Sequence, residues 1–195
     1  MEIYISTDVE ADGLVPGLSS MLSFASAAFD INKRLLGTFS RNLELMEGAS
    51  PTPSTDEFWK KNPGAYNKTR EDVVHPKIAM QEYKKWLGEL LGKPIFVGYP
   101  VVYDFKWIDW YFVKCIGENP FGFSGAIDVK TFAWTKLNGR FNHTTKRNFP
   151  KHWFEQLPHT HVALDDALEQ GAMFINILRE HRGLPPISKI VGKLP

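Results

Sequence analysis

Residues 2–10 read Glu2-Ile3-Tyr4-Ile5-Ser6-Thr7-Asp8-Val9-Glu10, of which Glu2–Val9 is a β-branched and aromatic stretch of the kind that forms a strand. Side chains alternate across a strand, so Ile3, Ile5, Thr7 and Val9 share one face and Tyr4, Ser6, Asp8 and Glu10 the other. The pattern predicts a central strand that carries two carboxylates on one side. Outward from it, Met21–Asp30 follows a Pro16-Gly17 turn, and Leu36–Leu45 alternates apolar and polar residues. Three strands at such short spacing predict an antiparallel meander. A Pro/Ser loop then leads into a short helix at Thr55–Lys61, and a helix at Pro76–Leu91 opens on proline and stops before Gly92. Pro94–Tyr99 is a continuously apolar strand of the kind buried on both faces. A helix at Tyr103–Ile116, a strand at Gly125–Val129 and helices at Lys130–Leu137 and Ala163–His181 complete the reading. The order βββ, α, β, α, β, α predicts an α/β fold with a mixed five-stranded sheet flanked by helices.

The 195 residues suit one domain, and no repeat, low-complexity run or linker divides them. A Pro/Gly-punctuated tail over residues 183–195 is expected to pack on a neighbour. Lys and Arg number 23 against 22 Asp and Glu, a net charge of +1, which excludes a global polycation. Cys115 is the one cysteine, so there is no intrachain disulfide and no cysteine-based zinc site. The opening Met-Glu-Ile-Tyr has no basic n-region, and no apolar run approaches the roughly 18 residues of a membrane span. A cytoplasmic protein without membrane contact is the expectation.

Three groups of acids stand where acids need a reason. Asp8 and Glu10 lie side by side on one strand face and repel unless a cation sits between them; a strand end emerging into solvent is the other reading. Asp104 falls within the stripe Asp104, Ile108, Tyr111, Phe112 and Cys115, where burial costs unless it is paired or metal-bound. It is also placed to meet free N–H groups at a helix start. In the last helix Ala163, Ala167, Gly171, Phe174 and Leu178 form one face, small at its start so that the backbone can approach the sheet. Asp166 lies off the edge of that face and can reach the sheet boundary, whereas Asp165 points away and reads as a first-turn acid. His161 precedes this helix on a loop from which its ring can swing over the same place.

Together, Thr7-Asp8-Val9-Glu10-Ala11-Asp12-Gly13, Tyr103-Asp104-Phe105 and His161-Val162-Ala163-Leu164-Asp165-Asp166-Ala167 resemble the motifs of the DEDDh 3′–5′ exonucleases of the ribonuclease H-like superfamily. RNase T, oligoribonuclease and the polymerase proofreading subunit belong to that group. The Glu10–Gly13 run and the compact size are most similar to its small stand-alone bacterial and phage exoribonucleases. The resemblance implies a ribonuclease H-like fold over the whole chain, and metal ligands at Asp8, Glu10, Asp104 and Asp166 with His161 as general base. It also implies substrate contacts at Ala11, Asp12 and Gly13, and a homodimer. One departure is visible: where many members carry H-N-x-x-F-D, this chain has Tyr99-Pro100-Val101-Val102-Tyr103-Asp104. Asp128 matches a family aspartate that is not normally a ligand and reads as structural.

The chemistry fits that assignment. Two divalent ions, Mg²⁺ or Mn²⁺, suit an oxygen-rich ligand set and meet the demands of phosphodiester hydrolysis. A histidine base must be neutral to take the water's proton, so activity is expected to rise through the neutral pH range. From Lys130 to Phe154 there are six Lys/Arg and no acid, with Phe141, Phe149, Trp153 and Phe154 interleaved. Arg140, His143, Lys146 and Arg147 are therefore expected to bind single-stranded nucleic acid at its 3′ end; a solvated basic loop with core aromatics is the competing reading. RNA is placed ahead of DNA. The rival function is a catalytically silent nucleic-acid-binding or scaffold domain of the same fold. Trp59, Trp107 and Trp110 read as core or dimer-contact residues rather than base platforms.

Overall fold

The computed structural model describes residues 1–157, 160–192 and 194. Strand β1 (Glu2–Ala11) is central, flanked on one side by β2 (Met21–Phe29) and β3 (Leu35–Asn42) and on the other by β4 (Lys93–Gly98) and β5 (Ala126–Asp128). The sheet order is β3-β2-β1-β4-β5. β1, β2 and β3 pair antiparallel, while β4 joins β1, and β5 joins β4, in parallel. This is the expected mixed sheet with its meander.

Alternation along β1 builds a core on each face of the sheet. Ile3, Ile5 and Val9 pack with Phe24, Tyr83 and Trp107 under helices α3 (Pro76–Glu89) and α4 (Val101–Ile116). Tyr4 faces the other way, against Phe174 of α6 (Ala163–His181), in a second core with Phe29, Val97 and Trp153. Helix α6 comes close because residue 171 is glycine. A Cβ there would lie 2.4 Å from Phe29 Cε2 and 2.8 Å from Ser6 Cβ, so neither the helix nor the sheet could stay in place.

Most elements lie within two residues of their expected bounds. Helix α1 (Pro53–Lys61) begins two residues early, because Pro53 suits the first turn. α4 begins at Val101 with Pro100 as its N-cap residue, and it ends at Gly117 in the left-handed region (φ +82°). A six-residue helix, α2 (Pro63–Lys68), falls where no helix was expected, its Pro63-Gly64 start being a poor local signal. Beyond α5 (Val129–Leu137), the basic stretch forms three short 3₁₀ turns.

Through residue 191 the tail packs on its own chain. Asn176 and Ile187 exchange two hydrogen bonds (3.1 and 2.8 Å), Arg179 Nε donates to Pro185 O, and Leu35 N donates to Val191 O. Pro/Gly punctuation by itself says nothing of such long-range anchors. Residues 193 and 195 lie outside the described residues. No helix among the described residues is long and apolar enough to cross a membrane.

Candidate functional site

β1 runs past the end of β4: their pairing stops at Ser6–Val97, while β1 continues to Ala11. The cleft this leaves is closed by α4. Asp104 Oδ1 accepts from the Val9 backbone N–H at 3.2 Å, so the acid in the apolar stripe is spent on β1 across the cleft. Gly98 makes room for it, since a Cβ there would lie 3.3 Å from Asp104 Oδ2 and 2.9 Å from Val101 Cα. Asp128 caps α5 through Thr131 N (2.6 Å) and accepts from Val101 N (2.9 Å) with its other oxygen. It thereby locks two helix starts together, which is the structural role read from its position.

α6 brings the remaining groups to the other side of the cleft. Asp104 and Asp166 are 4% and 5% exposed, and Asp8 and Glu10 open partly to solvent. Oxygens of Glu10 and Asp166 and a ring nitrogen of His161 lie within 4.8 Å of one another. Desolvation, then the charge of Asp166, raises the Asp8 carboxyl from its ordinary value near 3.8 to about 7. Desolvation followed by the charges of Asp8, Asp166 and Asp104 raises Glu10 to about 9. Asp104 is likewise raised, by desolvation and then by Asp8. The four acids and His161 thus converge from three separate stretches of sequence. A partly buried, mutually repelling set of carboxylate oxygens with one imidazole fits hard divalent cations.

The loop before α6 is fixed from several sides. Thr160 N donates to Asp166 Oδ1 (3.2 Å) and Thr160 Oγ1 to Asp165 Oδ2 (2.6 Å). His161 itself adopts a positive φ of +56°, and its ring meets Phe58 of α1 edge-on at 5.2 Å. Gln170, one turn beyond Asp166, donates from Nε2 to Ser6 Oγ, Thr7 O and Val97 O, at 3.0 to 3.2 Å. Phe58 and Gln170 were not singled out in the sequence. Only the helical offset of Gln170 from Asp166 could have pointed to it.

The expected substrate residues divide. Ala11, Asp12 and Gly13 are buried. Ala11 O accepts from Trp59 Nε1 (3.0 Å), Asp12 Oδ1 from Ser20 N (2.6 Å) and Gly13 O from Tyr103 OH (3.3 Å). The Asp12 side chain therefore shapes the bend after β1. Lys146 Nζ pairs with Glu169 Oε2, and its charge reaches Asp8. Arg140, His143 and Arg147 are exposed at the surface. Of the interleaved aromatics, Phe149 and Trp153 belong to the core, whereas Phe141 is 46% exposed beneath Lys130 Nζ, 4.5 Å from its ring centre. Trp59 and Trp107 are core residues and Trp110 is partly buried.

No protein-family model matches the chain. An Escherichia coli protein named 3′-5′ DNA exonuclease Cap18 is 29% identical over 181 residues, covering 89% of this chain and 90% of that one. The nuclease domain of 3′hExo, described as a DEDDh family member and bound to rAMP, superposes with a TM-score of 0.64 at 12% identity. The match covers 99% of this chain and 96% of that one. The chain has the fold of this DEDDh nuclease domain. E. coli Exonuclease I in complex with a dA16 oligonucleotide shares the DEDDh-type fold at a TM-score of 0.67 and 17% identity, over 93% of this chain and 42% of the larger one. S. pombe Pop2p, in an Mg²⁺- and Mn²⁺-bound form, gives 0.64 at 16% identity, over 98% and 88% of the two chains. The expected ribonuclease H-like α/β fold with its mixed five-stranded sheet is borne out.

Proposed function

We propose that this protein is a divalent-metal-dependent 3′–5′ exonuclease that acts on single-stranded nucleic acid and releases nucleoside 5′-monophosphates. The observation that carries the reading is the convergence of Asp8, Glu10, Asp104, Asp166 and His161 at one cleft beyond the end of β4. The four carboxylates would hold two ions, Mg²⁺ or Mn²⁺. Bound there, the ions would neutralise phosphate oxygens, acidify a water and stabilise the departing 3′-oxygen. His161 would take the proton of the attacking water at a ring nitrogen. The water oxygen bonds to phosphorus, the bond from phosphorus to the 3′-oxygen breaks, and that oxygen regains a proton from solvent. Phe58 and the Thr160 hydrogen bonds would keep the imidazole oriented for this transfer.

Arg140, His143 and Arg147 would receive the incoming strand, and the backbone at Ala11–Gly13 would border its 3′ end. Sequence alone put RNA first. The relative named as a DNA exonuclease, matched along nine-tenths of its length, reverses that order in our reading, with DNA ahead of RNA. A homodimer acting in the cytoplasm completes the proposal.

The test compares wild type with Asp8→Ala on 5′-labelled single-stranded DNA and RNA of one sequence, with Mn²⁺, Mg²⁺ or EDTA. A metal-dependent ladder receding from the 3′ end, faster on DNA and absent in the variant, is expected. Intact strands under every condition with folded protein would favour the silent binding domain, and faster loss of RNA would restore the original order.

A further inference from the structure

Glu169 follows Asp166 by three residues on α6, so the two acids share one helix face toward the carboxylate cluster. A fifth acid there would add repulsion to the cluster. Glu169, however, arrives with its own cation. Lys146 Nζ pairs with its Oε2, the two side chains being only 26% and 13% exposed, so solvent and salt screen the pair less than a surface one. The same ammonium lies 5.7 Å from the centre of the Tyr99 ring.

The backbone that carries Lys146 is fastened on both sides. Tyr99 OH donates to Thr144 O (3.3 Å), and Phe149 is buried against Tyr99 and Trp153. Arg140, His143 and Arg147 in the same stretch are exposed, Lys136 faces Glu180, and Lys130 lies over Phe141. A lysine that served only general affinity would gain nothing from being tethered to a carboxylate beside four others. A charge held fixed where charge develops during reaction lowers the barrier instead, because little reorganisation is left to do.

We infer that Glu169 is a positioning residue that holds the Lys146 ammonium at the scissile phosphate, making Lys146 a group of the reaction step rather than of strand capture. The inference rests on the exonuclease reading and adds to it a residue outside the three motifs.

The test uses wild type, Glu169→Gln, Lys146→Met and Lys146→Arg, with kcat and KM on a labelled single strand and half-saturation by Mn²⁺. Thymidine 5′-monophosphate binding in Ca²⁺ is measured alongside by calorimetry. Lys146→Met and Glu169→Gln are expected to lower kcat by about 10²-fold with KM nearly unchanged, and to weaken monophosphate binding. Lys146→Arg, which keeps the charge, should retain the larger share of both. A raised Mn²⁺ requirement in Glu169→Gln, with kcat restored by excess metal, would make Glu169 a ligand and overturn the inference. So would a change confined to KM in Lys146→Met. Were wild type to leave every strand intact, the exonuclease reading would fail separately; equal loss of monophosphate binding in both variants would still support the pair, and unchanged binding would sink it.

Discussion

At Asp8 and Glu10 the sign of the electrostatics decides what the protein does without metal. Their carboxyls are raised in the folded state, to about 7 and about 9, so the fold binds protons more tightly than the unfolded chain does. Their contribution to stability is therefore complete below about pH 4 and is lost as pH rises through about 7 and then about 9. Thermal unfolding in EDTA should show the midpoint falling between pH 5 and pH 9, and Mn²⁺ should recover most of that loss at the alkaline end. Asp8→Asn removes one repelling charge and should raise metal-free stability at pH 8 by roughly 1–4 kcal/mol. It should also abolish both the response to Mn²⁺ and the activity; a variant less stable in EDTA would show that the cluster does not repel as described. His161→Ala should lower kcat by about 10²–10⁴-fold and leave the Mn²⁺ stabilisation largely in place. The acids of the proposed site were legible because each broke a pattern: two on one strand face, one in an apolar stripe, one beside a small-residue helix face. Glu169, Gln170 and Phe58 broke none. Their roles come from partners 23 to 164 positions away, a relation no local pattern records.

Among the elements, α6 sets the geometry, because it carries Asp166 and lies against the centre of the sheet. Gly171 fixes how closely it lies and Gln170 fixes its register, through three acceptors on β1 and β4. Gly171→Ala should destabilise by about 1–3 kcal/mol, and its residual activity should fall further than stability alone explains, because Asp166 retreats with the helix. Denaturant unfolding and kcat measured on the folded fraction would check this; a variant with wild-type kcat would show that the approach of α6 does not set the site. The helices and strands were readable from periodicity, proline starts and glycine stops, and most were placed within two residues; β3 ends at Asn42, three residues short of Leu45. α2 and the 3₁₀ turns were missed because short segments opened by Pro63-Gly64, or rich in Lys, Asn and aromatics, carry no periodic signal.

For the molecule as a whole, the C-terminal segment closes the fold back onto the β2–β3 turn. Lys33 is fully buried, pairs with Glu155 Oε2 at 2.9 Å and donates to Ile187 O at 2.9 Å. The same Glu155 oxygen accepts from Ile190 N at 2.8 Å. Glu155→Leu would strand a buried ammonium and should cost about 3–5 kcal/mol by chemical denaturation, whereas replacing both partners with apolar residues should cost much less. Equal losses in the single and double variants would contradict that accounting. A buried lysine at a turn gives no sign of itself in the sequence, since lysines at turns are ordinarily solvated. The assembled cleft should shorten a strand only from a free 3′ end. One labelled single-stranded DNA is offered linear and as a closed circle with Mn²⁺. The linear form should recede from its 3′ end to nucleoside 5′-monophosphates, the circle should survive, and Asp166→Asn should leave both intact. A nicked circle, or a linear strand untouched by folded, metal-saturated protein, would contradict the account.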